Sequence, residues 1–172
     1  MEHFYVRQMT LADMPFFIDQ FDQLVKGEHV NDVNEEERAL FLNQISSAIK
    51  INESGGNSGH FFAMLINNED DSPAGMMWLR PSLDLDGHNC AEIALVHVEK
   101  NMRGKGGGSV LVDIAVNTIK QQRIIVKCFP VSKTMNTMLK RRGFEVMATS
   151  PRGSEFLCLL PSHRSKPLLY CQ

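Results

Sequence analysis

The sequence has few cysteines, and they are too far apart to suggest a metal or disulfide framework. Cys90, Cys128, Cys158 and Cys171 include no Cys-x-x-Cys pair. Closely spaced cysteines are typical of zinc sites and of small secreted domains held together by disulfides. We therefore expect reduced thiols, a cytoplasmic location and no metal site.

Long hydrophobic runs are also absent. No uninterrupted apolar segment approaches the ~18 residues that a membrane-spanning helix needs. The first ten residues, MEHFYVRQMT, lack the basic and then apolar pattern of a signal peptide. With 172 residues, 43% of them hydrophobic, the chain can bury a substantial core. We expect no membrane partner and a single domain over 1–160, followed by a C-terminal tail over 161–172.

Acidic residues are scarce in the second half of the chain. Residues 100–172 contain 13 Lys and Arg but three acids, whereas residues 1–99 contain five bases and 17 acids. The net charge of -2 conceals this asymmetry. The asymmetry favours two partners of opposite charge: phosphates would bind to the C-terminal half and a cationic group to the N-terminal half. Chance segregation of solvated surfaces is the alternative.

Hydrophobic periodicity predicts alternating strands and helices, and therefore an α/β fold. A strand over 3–8 is followed by two helices, whose starts are marked by Asp13 and Asn34. Apolar runs over 60–66 and 74–80 flank a polar turn and predict a β-hairpin. The later elements are a central strand over 90–98, a helix after a glycine-rich loop, a strand over 124–128, a basic helix over 132–142, and strands over 144–147 and 155–160.

The most informative segment is the glycine-rich loop, RGKGGGS at 103–109. Glycines allow a tight turn and leave backbone N–H groups unobstructed. The N-terminus of the following helix adds free donors and the positive end of a dipole, which suits a phosphate or pyrophosphate. The spacing fits neither the Walker loop nor the dinucleotide-binding loop. A simple strand–helix turn is the alternative.

This loop resembles the R-x-x-G-x-G signature of the GCN5-related N-acetyltransferase (GNAT) superfamily, with Arg103, Gly106 and Gly108 at the fixed positions. The V-x-x-x-x-R spacing from Val98 and the Gly-Phe dipeptide at 143–144 agree with the family. So does the order of elements over about residues 3–160. The resemblance implies a GNAT-like fold, a central mixed β-sheet of about six or seven strands flanked by about four helices.

The resemblance also implies an activity. GNAT enzymes transfer an acetyl (acyl) group from acetyl-CoA to a primary amine of a small molecule or protein, by direct attack in a ternary complex. Their loop amides hold the pyrophosphate, the end of the central strand pairs with the pantetheine arm, and the next strand splays away. Homodimers are common among them. The residues implied to bind acetyl-CoA are Val96, His97, Val98, Arg103, Gly104, Lys105, Gly106, Gly107, Gly108 and Ser109, and Ser132 is a further candidate.

Glu92 is the candidate catalytic residue, as general base. It is the only acid in a strand that is otherwise nearly continuous in apolar residues, so we expect burial to raise its pKa and suit it to proton abstraction. Glutamates in a similar A-E-I sequence serve as base in the histone-acetylating branch of the family. His97 is the rival base, acting directly or through water. A purely structural role is the alternative for both residues.

Two positions depart from the family pattern. Leu139 occupies the position of the tyrosine that protonates the CoA thiolate in many members, and Ser132 replaces an asparagine at the start of the last helix. Ser132 either donates a hydrogen bond to the CoA arm or is only the N-cap. Leu139 favours an alternative function, a catalytically silent acyl-CoA-binding or sensory module.

The acceptor site is expected near the first two helices, where acids are frequent. Such a rim favours a cationic acceptor such as a polyamine, an aminoglycoside, a lysine side chain or a protein N-terminus. Stabilisation of helix N-termini explains three of these acids equally well. The basic residues of the second half lack interleaved aromatics, so we expect no nucleic-acid partner. The acids of the rim are Glu28, Asp32, Glu35, Glu36 and Glu37.

Overall fold

The computed structural model describes residues 3–31 and 33–163, and its elements follow the predicted order. Asp32, Cys171 and all but the first three residues of the predicted tail lie outside the described residues. The strands and helices are β1 (Phe4–Gln8), α1 (Met14–Lys26), α2 (Glu35–Glu53), β2 (Phe61–Asn67), β3 (Pro73–Leu83), β4 (Asn89–Val98), α3 (Gly107–Thr118), β5 (Ile124–Cys128), α4 (Lys133–Arg141), β6 (Glu145–Thr149) and β7 (Glu155–Leu159).

Local sequence explains where the first two helices begin. Asp13 is the N-cap of α1, and Pro15 lies in the first turn, where its missing N–H costs no hydrogen bond. Asn34 caps α2, because its side chain accepts a hydrogen bond from the Glu37 amide while the Glu37 carboxylate accepts one from the Asn34 amide. Both starts were predicted.

The seven strands form one mixed sheet in the order β1-β2-β3-β4-β5-β7-β6. Neighbouring strands are antiparallel except β4 and β5, which run parallel. The α/β fold with a mixed sheet and a central β4 is therefore confirmed. The insertion of β7 between β5 and β6 was not predicted.

Helices cover the sheet on both faces and bury two cores. On one face, α3 and α4 pack over a core that includes Ile93, Leu111 and Leu139. On the other face, α1 and α2 pack over a core that includes Phe17 and Trp78. The face covered by α3 and α4 carries the candidate site.

None of the helices within 3–31 and 33–163 is both long and apolar enough to cross a membrane.

Candidate functional site

A cleft opens where β4 and β5 diverge. The two strands pair only at Ala91–Ile124 and Glu92–Ile125. Beyond Glu92 they separate and leave a cleft of about 620 Å³. Its walls are the end of β4, the loop at 103–109, β5, the beginning of α4, and the end of α1 with the connection that follows it. The V-shaped gap expected between these parallel strands is therefore present.

A β-bulge on β4 shapes the edge of this cleft. Trp78 of β3 pairs with Leu95 and Leu79 pairs with Ile93, so that Ala94 has no partner in the ladder. A bulge bends its strand and redirects the side chains that follow. Leu95 joins the core beneath α1, whereas Ile93 packs beneath α3. Because β5 pairs with β4 only at Ala91 and Glu92, the side of β4 that faces the cleft keeps backbone groups that no described strand uses.

The glycine-rich loop forms an anion-binding turn beside the cleft. Gly104 and Gly106 have φ values of 81° and 88°, a region that glycine enters without steric cost. Gly106 is the N-cap of α3. Within the described part of the chain, the amides from Gly106 to Ser109 donate no hydrogen bond. Four free N–H groups at a helix N-terminus fit a phosphate or diphosphate.

A side-chain hydrogen bond from Arg103 connects the loop to the end of β4. Its Nε donates to the Val98 carbonyl over 2.9 Å. The Lys105 ammonium is exposed and lies 3.9 Å from the Met102 sulfur. Two cations thus flank the free amides, which strengthens the positive potential there.

Gly107 has a different role, because it lets α3 pack closely on the sheet. A Cβ at this position would lie 2.6 Å from Leu65 Cδ2 and 3.3 Å from Phe4 Cε2. We expect Gly107→Ala to lower the free energy of unfolding by about 1–3 kcal/mol through overpacking. Gly108→Ala is the matched control, since its nearest contact would be an ordinary 3.8 Å to Val98 Cγ2. Urea denaturation measures both variants, and equal stabilities would contradict this interpretation.

A hydrogen bond joins the α1–α2 connection to the beginning of α4. His29 Nδ1 and Ser132 Oγ lie 2.9 Å apart, and both residues line the cleft. Ser132 occupies the N-cap position of α4, but its side chain makes no capping hydrogen bond. Its hydroxyl is directed to His29 instead. Sequence reasoning missed His29, which lies 103 residues from its partner.

His97 is a buried histidine in the lining of the cleft. It is 6% exposed, and its Nε2 has no hydrogen-bond partner among the described residues. Burial, followed by the nearby Arg103 and His29, lowers the pKa of His97 to about 4. Burial and Arg103 also lower the pKa of His29. The imidazole of His97 is therefore neutral at pH 7 and can hydrogen-bond to a bound molecule.

This neutral His97 gives the protein a specific sensitivity to acid. The unfolded chain takes up the proton near pH 6.5, whereas the folded chain takes it up only near pH 4. Stability due to this group is therefore complete above pH 6.5 and is lost as the pH falls. Between pH 7 and pH 5 we expect the wild type to lose about 2 kcal/mol more than His97→Gln. Urea denaturation at several pH values tests this, and parallel stability curves would contradict it.

Glu92 lies at the last residue pair before the cleft opens. It is partly buried, and its Oε2 accepts a hydrogen bond from Arg80 Nε over 2.8 Å. Sequence reasoning did not foresee this ion pair. Glu92 is not part of the cleft lining and instead borders a second pocket. Its role as a base stays a prediction.

The cleft contains neither the family's tyrosine nor a carboxylate among its described lining residues. Leu139 is fully buried, so the position of the family's tyrosine holds an apolar core residue. The described residues that line the cleft include no carboxylate. In the predicted acidic rim, Glu37 is engaged in the capping box of α2. The cleft itself therefore gives no support for a cationic acceptor.

Comparisons with known proteins agree with this geometry. Residues 18–144 match the model of the family described as "Acetyltransferase (GNAT) family". A sequence search of curated proteins gives no match. Many solved structures share the fold.

Three solved structures illustrate the similarity. PaiA N-acetyltransferase from Thermoplasma acidophilum, in complex with coenzyme A, has a TM-score of 0.64 at 14% identity, covering 90% of this chain and 97% of its own. Arabidopsis thaliana NAA60, in complex with a bisubstrate analogue, gives 0.63 at 11% identity, with 91% and 97% covered. Ribosomal-protein-S5-alanine acetyltransferase from Vibrio fischeri gives 0.65 at 14% identity, with 96% and 97% covered. At these identities the structures establish the fold, and the family match over most of the chain establishes that this protein belongs to the acetyltransferase (GNAT) family, whose members are acetyl-transferring enzymes.

Proposed function

We propose that the protein is an N-acetyltransferase that moves the acetyl group of acetyl-CoA to a primary amine by direct attack in a ternary complex. The observation that carries the proposal is the row of free amides from Gly106 to Ser109 beside an open cleft. A diphosphate satisfies these donors, and the cleft can take the thioester arm attached to it. The coenzyme A complex of the PaiA structure supports this choice of co-substrate.

The residues divide the binding of acetyl-CoA among them. The loop residues Arg103, Gly104, Lys105, Gly106, Gly107, Gly108 and Ser109 hold the diphosphate, chiefly through backbone N–H groups. The bulged end of β4 at Val96, His97 and Val98 offers backbone partners to the pantetheine arm. Ser132 lies at the other wall of the cleft. Its hydroxyl leaves its hydrogen bond with His29 and forms one with the same arm.

Acyl transfer forms one N–C bond and breaks one C–S bond. The attacking amine must be neutral, and it loses one further proton as the amide forms. Glu92 is the proposed acceptor of that proton, because its Oε1 accepts no hydrogen bond from the described residues while Arg80 holds Oε2. Leu139 cannot donate a proton, so the CoA thiolate takes its proton from solvent. The products are the N-acetylated amine and free CoA.

The proposal also includes a cytoplasmic location and a homodimer. Cys90, Cys128 and Cys158 are buried free thiols, which suits a reducing cytoplasm. A homodimer is expected from the family resemblance, and sedimentation equilibrium would measure it.

Two measurements test the proposed function. Calorimetry with acetyl-CoA tests binding, and its absence at high micromolar concentration would end the proposal. Release of CoA thiol in the presence of a panel of amines tests turnover. Buried Leu139 is the observation that favours a silent acyl-CoA-binding module, and binding without thiol release from any amine would establish that alternative.

A further inference from the structure

A second pocket, of about 220 Å³, lies on the sheet face opposite to α3 and α4. The strand register places Arg80, Glu92, Ile125 and Cys158 opposite one another in a row across four strands. Side chains directly opposite in a sheet share a face. Val126 and its neighbours in the core beneath α3 point the other way. Helices α1 and α2 pack on the earlier strands, so the β5–β7 part of this face stays open.

The walls of this pocket carry exposed apolar side chains. Leu85 in the β3–β4 turn is 61% exposed, and Met147 of β6 is 53% exposed. Leu83 and Phe156 complete the apolar wall. Scattered apolar residues on a surface are ordinary, but several gathered around one concavity mark a ligand site.

The charged groups around the pocket are mostly paired. Arg80 holds Glu92, while Asp84 accepts hydrogen bonds from Arg123 and from the amides of Asp86 and His88. Because Asp84 is already occupied, its proximity to Asp86 and His88 does not suggest a metal site. The Asp86 side chain makes no ion pair among the described residues. Apart from Asp86, the described carboxylates that line the pocket are therefore compensated by a cation.

The junction between the pocket and the cleft is the segment of β5 just beyond its last pair with β4, whose residues the two cavities share. Val126 and Lys127 line both cavities. The Lys127 ammonium lies 4.6 Å from the ring centre of Phe129 and 5.8 Å from that of Phe156. This cation disfavours a second positive charge at the junction, and so favours the neutral form of an arriving amine. Glu92 lies beside the same junction.

From these features we infer that the second pocket binds the acceptor, and that the acceptor is a primary amine carried on a compact apolar group. The inference rests on the proposed function and replaces the expected cationic acceptor with a more specific class. The volume is below the ~300–1,000 Å³ of sites for drug-sized ligands, so it suits one apolar group of phenylethyl size rather than an aminoglycoside. A small arylalkylamine and a peptide with a hydrophobic N-terminal residue share this chemistry.

The experiment compares three amines by release of CoA thiol. They are 2-phenylethylamine, a short peptide that begins with leucine, and spermidine. We expect kcat/KM for 2-phenylethylamine, the peptide or both to exceed that for spermidine at least about tenfold. Activity with only one of the two apolar amines shows whether the acceptor is a small arylalkylamine or a peptide N-terminus. Preference for spermidine overturns the inference.

A matched pair of variants locates the acceptor on the structure. Leu85→Asn removes apolar wall from the pocket, and Leu40→Asn makes the same change on α2, where the leucine is similarly exposed at 58%. We expect Leu85→Asn to raise KM for the preferred amine about tenfold with no change in KM for acetyl-CoA. Leu40→Asn should leave both constants unchanged. Met147→Gln repeats the test from the opposite wall.

The outcomes separate this inference from the proposed function. If acetyl-CoA binds and amines are acetylated, but Leu85→Asn and Met147→Gln behave like Leu40→Asn, the acceptor lies elsewhere and the inference is wrong. If acetyl-CoA does not bind at all, the proposed function fails and the inference fails with it. Circular dichroism of each variant verifies that the fold is intact.

Discussion

Valine in place of Gly106 is expected to weaken acetyl-CoA binding about thirtyfold. Gly106 has a φ of 88° at the N-cap of α3. This conformation costs an L-residue about 1–2 kcal/mol, and a β-branched side chain is especially poorly tolerated there. Relaxing the backbone turns the adjacent amides away from the diphosphate, and about 2 kcal/mol of lost binding corresponds to about thirtyfold. Calorimetry with acetyl-CoA measures the change directly.

Gly55→Val is the matched control for this variant. Gly55 has a φ of 81°, and, as at Gly106, an added Cβ would meet nothing within 4 Å. It lies just after α2 and does not line the cleft. Both variants should lose similar stability, but only Gly106→Val should lose affinity. Equal affinities in the two variants would show that the loop conformation does not matter for binding.

Replacing Glu92 by glutamine is expected to lower kcat about a hundredfold or more, the range typical for loss of a general base. Acetyl-CoA affinity should not change, because Glu92 does not line the cleft. The amide keeps the size of the side chain but cannot take the proton of the amine. Stopped-flow measurement of thiol release gives the rate.

The pH dependence distinguishes a base from a structural residue. If Glu92 is the base, the rate of Glu92→Gln should rise toward that of the wild type as the pH approaches the pKa of the amine, since solvent then supplies the neutral nucleophile. A structural defect would lower the rate equally at every pH. His97→Gln should retain most of its activity, and the reverse pattern would assign the base to His97.

Local sequence patterns were sufficient to predict the order of elements, but not the order of strands in the sheet. Hydrophobic periodicity and turn residues act over a few positions, so they predict β6 and β7 equally well. Which of them lies beside β5 depends on pairing between Ile125 and Cys158, 33 residues apart, and no local pattern specifies that contact.

In the candidate site, too, features within one short segment were predictable and contacts between distant segments were not. The glycine loop was predictable because its amides, its positive φ values and the helix start all lie in one short segment. The bond of His29 to Ser132 was not predictable, because it depends on where the α1–α2 connection lies relative to the beginning of α4. The Arg80–Glu92 ion pair could have been predicted from the sequence. A hairpin folded symmetrically about Asp86 places these two residues opposite each other.

The position of β7 in the sheet has a consequence for synthesis on the ribosome. β5 is paired with β4 at only two positions but with β7 at five. While the chain grows, β5 emerges long before the strand that holds it on its other side. The wall of the cleft that β5 provides is therefore completed only after residue 159 has been translated, so the cleft cannot form before β7 has been made.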